Sequence, residues 1–417
     1  LAIWTIDISP PSVAIWLRRS GEAARALAAA FTSSAIGGII GAIALFLAIP
    51  VLRPLVLILG PPEFFMLVMV GVAMVGTLSG KAPIKGIIVG GLGILVSLVG
   101  VHISTGIYRF TFDQLYLVDG LKLIPVTIGL FAIPELIYMA VKGTGIADVP
   151  LGDLTKGRRQ GIRDAFTHWW LIIRSSLIGI WVGIIPGLGS SVADWFAYGS
   201  AKQICAGASE TFGKGDVRGV IAVDAATNAK EGGSLIPTLA FGIPGSSTLA
   251  LIFGGLIIVG ISPGKNMLTT DLHLTFSMIW LLIIGSIITS ILCLAFTRQL
   301  ALATTVRPTI LIPIVLGMAV IGSFAASSRF EDVIIMAVFG LIGYFMRFAG
   351  WPRPPFLLGL VLGPIAERYL WTSIQLYGGE FLLRPGVITI FVLLVVVIFY
   401  PAISRKLSPV KSDVVPG

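Results

Sequence analysis

From His273 to Phe296 the chain passes twenty-four residues without an Asp, Glu, Lys or Arg. A helix crossing the hydrocarbon of a bilayer needs about 20 predominantly apolar residues. Such a run is therefore either a membrane helix or the centre of a large core. Similar runs lie near 24–50, 55–78, 84–104, 121–141, 167–186, 247–262, 308–326, 331–350 and 386–403. The chain is 56% hydrophobic and 12% charged, about half the charge of a soluble domain. No water-soluble core hides that much apolar surface, so lipid is the solvent for much of it. The runs are continuously apolar and do not alternate, which excludes a β-barrel. The expected fold class is all-α and polytopic, with about ten transmembrane helices.

The net charge of +9 suggests a nucleic-acid partner, but the basic residues form no patch with interleaved aromatics. Lys156, Arg158, Arg159 and Arg163 share one linker, and Arg405, Lys406 and Lys411 lie at the end. That is the pattern of cytoplasmic loops flanking spans, and no nucleic-acid partner is expected. Cys205 and Cys293 show no metal spacing, and His102, His168 and His273 are scattered. No metal, other cofactor or catalytic residue is expected.

The longest polar stretch divides the chain into a first half (1–141), a basic linker (142–166), a second half (167–404) and a basic tail (405–417). The halves resemble each other. VAMVGTLSGKAPIKGIIVGGLG (72–93) is similar to MAVIGSFAASSRFEDVIIMAVFG (318–340), and TIDISPPSVAIWL (5–17) to TLAFGIPGSSTLAL (238–251). Two related halves are a common plan of secondary transporters. If Pro11 corresponds to Pro244, the first half lacks most of what precedes that proline in the second. The expectation is a first half without its N-terminal part.

Two IPG tripeptides interrupt the apolar pattern: Ile185-Pro186-Gly187, followed by Gly189, Ser190 and Ser191, and Ile243-Pro244-Gly245, followed by Ser246, Ser247 and Thr248. Proline lacks an N–H and ends or kinks a helix. Within a bilayer the freed backbone groups are tolerated only inside protein or facing a watery cavity. A helix that restarts after each break, or a re-entrant segment, presents unpaired N–H groups and the positive end of its dipole there. With hydroxyls added, the arrangement is a cradle for a carboxylate, while the carbonyls that end the preceding helix suit Na⁺. Between the breaks, Asp224, Asn228 and Glu231 fall on one helix face by their spacing, with Lys230 facing elsewhere or reaching back. Asp194 follows the first break. Ionisable groups within a membrane default to function, so these five are candidate ion or substrate ligands. Glu63, after two prolines, is expected to cap a helix start, Arg109 to be an interfacial anchor, and Trp169, Trp170, Trp351 and Trp371 to belong to an aromatic belt.

Gly213-Lys214-Gly215-Asp216 matches the G-x-G-D pattern of intramembrane aspartyl proteases but sits in polar sequence. No phosphate-binding loop, H-E-x-x-H or G-x-S-x-G occurs.

Four stretches resemble the large membrane subunit of the bacterial tripartite tricarboxylate transporter family. They are GIIPGLGSSVADWFAYGSAKQ (183–203), FGKGDVRGVIAVDAATNAKEGGSLIPTLAFGIPGSS (212–247) running on to GISPG (260–264), GPPEFF (60–65) and RFTFDQLYLVDGLKLIPVTIGLFAIPEL (109–136). The resemblance implies an inner-membrane permease that imports carboxylates on an ion gradient, Na⁺ or H⁺. It also implies a small membrane subunit and a periplasmic solute-binding protein as partners. Pro186-Gly187 and Pro244-Gly245 then become the substrate-site candidates. Where such proteins carry a Pro-Gly break in the first half, this chain has Ser9-Pro10-Pro11-Ser12, and Asp224 stands where glutamate is commoner. The alternatives at this point are a structural or sensory membrane protein without transport, and the aspartyl protease.

Overall fold

A computed structural model describes residues 23–78, 83–102, 105–142, 157–186, 189–213, 215–261, 263–297, 299 and 308–395. The chain is helical almost throughout. Helix α1 (Ala23–Ile58) opens on an alanine-rich run and continues through Pro50 and Pro54. It stops before Gly60-Pro61, where α2 (Pro61–Leu78) begins with Pro at its start and Glu63 in its first turn. The Glu63 carboxylate accepts the Gly60 N–H at 2.9 Å, as a first-turn acid should. The boundary expected between 50 and 55 therefore lies at 59–60. Helix α3 (Pro83–Ser97) leads to a short hairpin pairing Gly100–Val101 with Tyr108–Arg109. Helix α4 is continuous through Leu123–Thr127, a π-helical turn at Ile128–Ala132, and Ile133–Lys142.

After the linker come α5 (Arg158–Thr167), α6 (Trp169–Ile184), α7 (Gly189–Ile204), α8 (Val217–Phe241) and α9 (Ser247–Ile258). They are followed by α10 (Leu272–Ala295), α11 (Pro308–Ala325), α12 (Glu331–Phe348) and α13 (Pro354–Tyr377). Among the described residues four helices are long and apolar enough to cross a membrane: Ala24–Ile58, Leu123–Val141, Leu272–Ala295 and Pro308–Ala325. A fifth span is added if the bent pair Pro354–Leu383 and Pro385–Val395 counts as one. Shorter apolar helices cover Pro61–Met74, Ile84–Ser97, Trp169–Ile184 and Thr248–Ile258. Large apolar side chains stand bare on α10 and α11, among them Leu281 and Ile321 at 69% exposure, the surface expected against lipid and not water.

Helices α5, α7, α8 and α13 lie outside the apolar runs. Helix α8 carries Asp224, Lys230 and Glu231, and α13 carries Glu367 and Arg368. Most of α8 and the first half of α13 are buried in protein. Lys230 with Glu231, and Glu367 with Arg109, are paired there, so the helix need not read as a continuous apolar span.

The helices form two compact units: α1 with α4 to α12 in one, and α2, α3, the hairpin and α13 in the other. Each unit draws helices from both sides of the linker. In the first, α8 lies between α1 and α6 with backbones touching. A Cβ placed on Gly41 of α1 would stand 2.6 Å from the Ala229 carbonyl oxygen, and one on Gly183 of α6 would stand 2.4 Å from that of Lys230. Gly37 and Gly179 repeat the same contacts one turn earlier. Both neighbours of α8 thus carry G-x-x-x-G, the spacing that lets membrane helices approach closely.

Elsewhere in that unit α11 and α12 pack with α4, and in the second unit α2 and α3 pack with α13. The two groups are built alike. Gly340 and Gly343 of α12 meet α4 at Gly129-Leu130-Phe131-Ala132-Ile133-Pro134, while Gly93 of α3 meets α13 next to Gly359-Leu360-Val361-Leu362-Gly363-Pro364. Arg347 of α12 pairs with Glu135 of α4, and Arg109, in the hairpin after α3, pairs with Glu367 of α13.

The seams of α8 carry a direct prediction. Gly41→Ala or Gly183→Ala should each destabilise the protein by about 1–3 kcal/mol, because the added methyl has nowhere to go. Gly285→Ala on α10, where nothing lies within 4 Å of the added carbon, should be neutral or stabilising by up to about 1 kcal/mol. Thermal unfolding of the three variants in detergent checks the contrast.

Candidate functional site

The first break follows Ile184. The Ile185 N–H bonds back to the Val182 carbonyl at 3.2 Å, Pro186 is partly buried, and α7 restarts at Gly189. Gly187 lies outside the described residues. Ser190 and Ser191 occupy the first turn of α7, and their side chains also lie outside what is described.

The second break is resolved in more detail. Helix α8 is stopped by Gly242 in the left-handed conformation (φ 70°), whose N–H returns to the last turn. Ile243, Pro244 and Gly245 are buried. Ser246 is the N-cap of α9, its hydroxyl accepting the Leu249 N–H at 3.2 Å, which satisfies one of the donors that a helix start leaves open. Thr248 is exposed, and the side chain of Ser247 lies outside the described residues. The Ser246 hydroxyl thus accepts from its own helix and keeps an O–H to donate, and a further hydroxyl supply stands close by.

It comes from α8. A Cβ on Gly183, just before the first break, would stand 2.9 Å from the Ser234 nitrogen; one on Gly245, in the second, would stand 2.9 Å from the Ser234 Cβ. The last turn of α6 and the second break meet at this one serine. Among the described residues its buried Oγ has no hydrogen-bond partner, uncommon for a buried polar atom. One turn further, the Gly245 N–H donates to the Thr238 hydroxyl at 3.3 Å, and that hydroxyl donates to the Ser234 carbonyl at 2.6 Å. In the other direction Lys230 and Thr227 continue the same face at helical spacing.

Lys230 is almost completely buried, its side chain 2% exposed, and its ammonium lies 2.9 Å from the Glu231 carboxylate, which is 30% exposed. Thr227 donates to the carboxylate of Asp194, a buried residue of α7. Asp224 is partly buried one turn before Asn228. Asn228 turns to α1 and donates to the Ser34 carbonyl at 3.1 Å, a tie between helices. The structure thus joins Asp194, Lys230 and Glu231 around α8 and adds Thr227, Ser234 and Thr238, which charge patterning alone passed over. The signal was present: 227, 230, 234 and 238 are three and four apart.

Other sequence candidates have structural roles. Arg109 is no interfacial anchor; it grips Glu367 through two bonds of 2.8 and 3.0 Å, and His102 approaches the same carboxylate at 3.2 Å. Trp371 stacks edge-on to His102, and Trp351 lies under Lys85, whereas Trp169 and Trp170 are exposed. Asp216 of the G-x-G-D tetrapeptide caps α8, accepting the Arg218 N–H at 2.9 Å and pairing with the Arg218 guanidinium.

The comparisons with known proteins can be set beside this geometry. A family model described as "Tripartite tricarboxylate transporter TctA family" matches residues 14–358. The chain belongs to that family. It is 29% identical over 406 residues to an uncharacterised 52.8 kDa protein in the TAR-I ttuC′ 3′ region of Agrobacterium vitis, covering 94% of this chain and 78% of that one. It is 32% identical over 202 residues to an uncharacterised protein in the TAR-II ttuC′ 3′ region of the same organism, covering 48% of this chain and 83% of the relative. No solved structure matches. Family membership makes the chain a member of a transporter family that works as a tripartite assembly, and the two breaks with α8 between them fall inside the matched residues.

Asp216 gives a pH prediction outside the spans. Burial works against its charged form, but hydrogen bonds from the Arg218 side chain, the Thr211 hydroxyl and the Arg218 N–H outweigh this and hold its pKa below the usual carboxylate value. A lowered folded-state pKa stabilises the protein above the unfolded value of about 3.9, and the contribution is lost as pH falls through the folded pKa. Asp216→Ala should cost about 1–2 kcal/mol at neutral pH, and the gap to wild type should shrink in acid below about pH 4. Denaturant titrations at the two pH values measure it.

Proposed function

We propose that this chain is the permease subunit of a secondary transporter that imports carboxylates on an ion gradient. It would sit in a bacterial inner membrane, with a small membrane subunit and a periplasmic solute-binding protein as partners. The observation that carries the reading is the meeting of the last turn of α6 and the second helix break on one buried face of α8, with a Ser234 hydroxyl that has no partner among the described residues and a buried Lys230. A carboxylate is the anion that such a face, flanked by the starts of α7 and α9, recognises best.

The substrate ligands in this reading are Pro186, Gly187, Gly189, Ser190, Ser191, Pro244, Gly245, Ser246, Ser247 and Thr248, the residues at and just after the two IPG tripeptides, together with Ser234. Asp194, Asp224, Asn228, Lys230 and Glu231 serve ion or substrate. Two features bear on the cation. Pro237 inside α8 cannot donate to the carbonyl of Gly233, and carbonyls at broken helix ends suit Na⁺. The buried Asp194 suits H⁺. A tricarboxylate such as citrate, a dicarboxylate or another organic acid fits the cradle.

The two halves, 1–141 and 167–404, belong to the proposal as well, with about ten spans in all when the short apolar helices are included. Their support is the matching build of the α2–α3–α13 and α11–α12–α4 groups, in which each half contributes the third helix to the other's pair. Transport would then follow from rocking or sliding of one half against the other around the breaks.

Uptake of labelled succinate, malate and citrate into energised vesicles holding this chain, its small subunit and a binding protein tests the reading. Gradient-driven uptake without ATP is the expected result, and its dependence on an imposed Na⁺ or H⁺ gradient names the ion. Absence of uptake under every gradient would move the assignment to a non-transporting structural or sensory role. Pro244→Leu should abolish uptake while inserting normally, since a continuous helix closes the second cradle. Ser234→Ala should leave unfolding within about 0.5 kcal/mol of wild type, because its hydroxyl has no bond to lose. The same variant should raise the KM for the carried acid.

A further inference from the structure

Helix α5 is fastened to α1 along one side. A Cβ on Gly161 would stand 2.1 Å from the Arg25 carbonyl oxygen, so the two backbones touch. Asp164 turns the same way and accepts the Arg25 Nε–H at 2.6 Å and the Gln160 amide at 2.9 Å. Gly161, Asp164 and Ala165 are buried. At about 100° per residue, Arg159, Arg163 and Phe166 fall on the opposite side, and all three are exposed. With its inner side held, α5 cannot roll, and this outer face is fixed.

Helix α6 starts after one residue, His168, which lies between the two helices. Its buried side includes Ile172, Ser175, Ser176 and Gly179. Trp170, Leu177 and Trp181 stand bare on the other side, at 58 to 61% exposure. Arg174 belongs to that bare side by its spacing, four residues after Trp170 and three before Leu177. Side chains on a helix lean towards its N-terminus, so Arg174 leans back towards Trp170 and α5. An arginine set about 7.5 Å into an apolar helix keeps its stem on apolar surface and its charge at the polar boundary.

The charge of this corner is one-sided. Asp164 is the only Asp or Glu between 157 and 186, and it faces α1. None of Arg158, Arg159, Arg163 and Arg174 forms an ion pair among the described residues. Fixed guanidiniums thus border a bare aromatic and aliphatic strip. The ligand that satisfies both is an anion carrying acyl chains.

We propose that the corner of α5 and α6 binds an anionic phospholipid, its phosphate on Arg163 and Arg174 and an acyl chain along Trp170, Leu177 and Trp181. Guanidinium and phosphate form charge-assisted hydrogen bonds of matching geometry. A free phosphate would use the arginines and leave the strip bare. The consequence reaches the end of α6. Its sixteen residues rise about 24 Å, short of the roughly 30 Å of hydrocarbon. A lipid that holds the start of α6 at the headgroups therefore sets the depth at which Ile184 ends the helix. This holds whatever the protein carries.

The test is thermal unfolding of the whole chain in detergent, titrated with phosphatidylglycerol, phosphatidylcholine or inorganic phosphate. Phosphatidylglycerol should raise the midpoint at a mole fraction at least about tenfold below that needed of phosphatidylcholine, and inorganic phosphate should not replace it. Arg163→Gln and Arg174→Gln should each weaken the phosphatidylglycerol effect about fivefold, the share of one charge at an anionic surface. The double variant should lose the preference, and Lys at both positions should retain part of it. Lys265→Gln, which removes an equal charge from another exposed site, should keep the wild-type preference. Equal responses to the two lipids, an equal loss in Lys265→Gln, or full replacement by inorganic phosphate would each overturn the proposal. If the double variant does not fold, the two single variants decide, and unchanged titrations in both overturn it.

Discussion

The contact on which the first unit depends is between backbones. Helix α8 lies against α1 at Gly37 and Gly41 and against α6 at Gly179 and Gly183, close enough that a single methyl at any of the four would meet a carbonyl oxygen within 2.6 Å. Between apolar helices in lipid there is no hydrophobic force to drive association, so close packing and the dispersion energy it brings must hold them. The small residues of α8 itself, Ala225, Ala226, Ala229, Gly232 and Gly233, complete both seams. A helix packed this tightly on two sides has little freedom to rotate, and its remaining face is thereby fixed.

That fixed face is the one to which the breaks are directed. Gly183 is at once the last small residue of the α6 seam and the residue three before Pro186, so the seam and the break share one position. The consequence is economical in physical terms: the packing that locates Lys230 and Ser234 also places the end of α6 against them. Buried charge then needs no apolar run to carry it through the membrane. Asp194, Lys230 and Glu231 find one another or a hydroxyl within the protein, and the cost of immersing them is met by those partners.

This explains which parts of the structure could be read from sequence. Apolar runs gave the membrane class and the positions of α10, α11 and α12, because those helices face outward on much of their surface and lipid demands apolar side chains there. Helices α8 and α13 escaped the same test, since their neighbours are protein and Lys230, Glu231 and Glu367 find partners within it. The breaks were legible from proline and glycine alone, and Gly242 in its left-handed conformation and the Ser246 cap are the local chemistry those residues predict. What could not be read was the direction of the α8 faces. A helix with small residues all round shows no amphipathic stripe, so spacing grouped Asp224, Asn228 and Glu231 on one side but gave no reason to look at Thr227, Lys230 and Ser234. The G-x-x-x-G pairs at 37–41 and 179–183 were the missing guide, for they mark which helices press on α8 and hence which face is left. Arg109 escaped for a different reason: its partner Glu367 lies far along the chain, and only the fold joins them.

The two three-helix groups add a constraint on how such a chain is organised. Helices α2 and α3, from before the linker, hold α13 from after it; α11 and α12, from after it, hold α4 from before it. Each grip ends in an arginine–glutamate pair that also crosses the linker, Arg109 with Glu367 and Arg347 with Glu135. Neither group is complete without a helix from the far side of the linker, so separating the two sides would break both glycine-lined contacts and both ion pairs together. The chain passes from one compact unit to the other at 58–59, 121–122 and 348–349, and each passage lies within two residues of a glycine: Gly60, Gly120 and Gly350. Gly120 and Gly350 hold φ values of 72° and 65°, a conformation that residues with a Cβ adopt only at a cost.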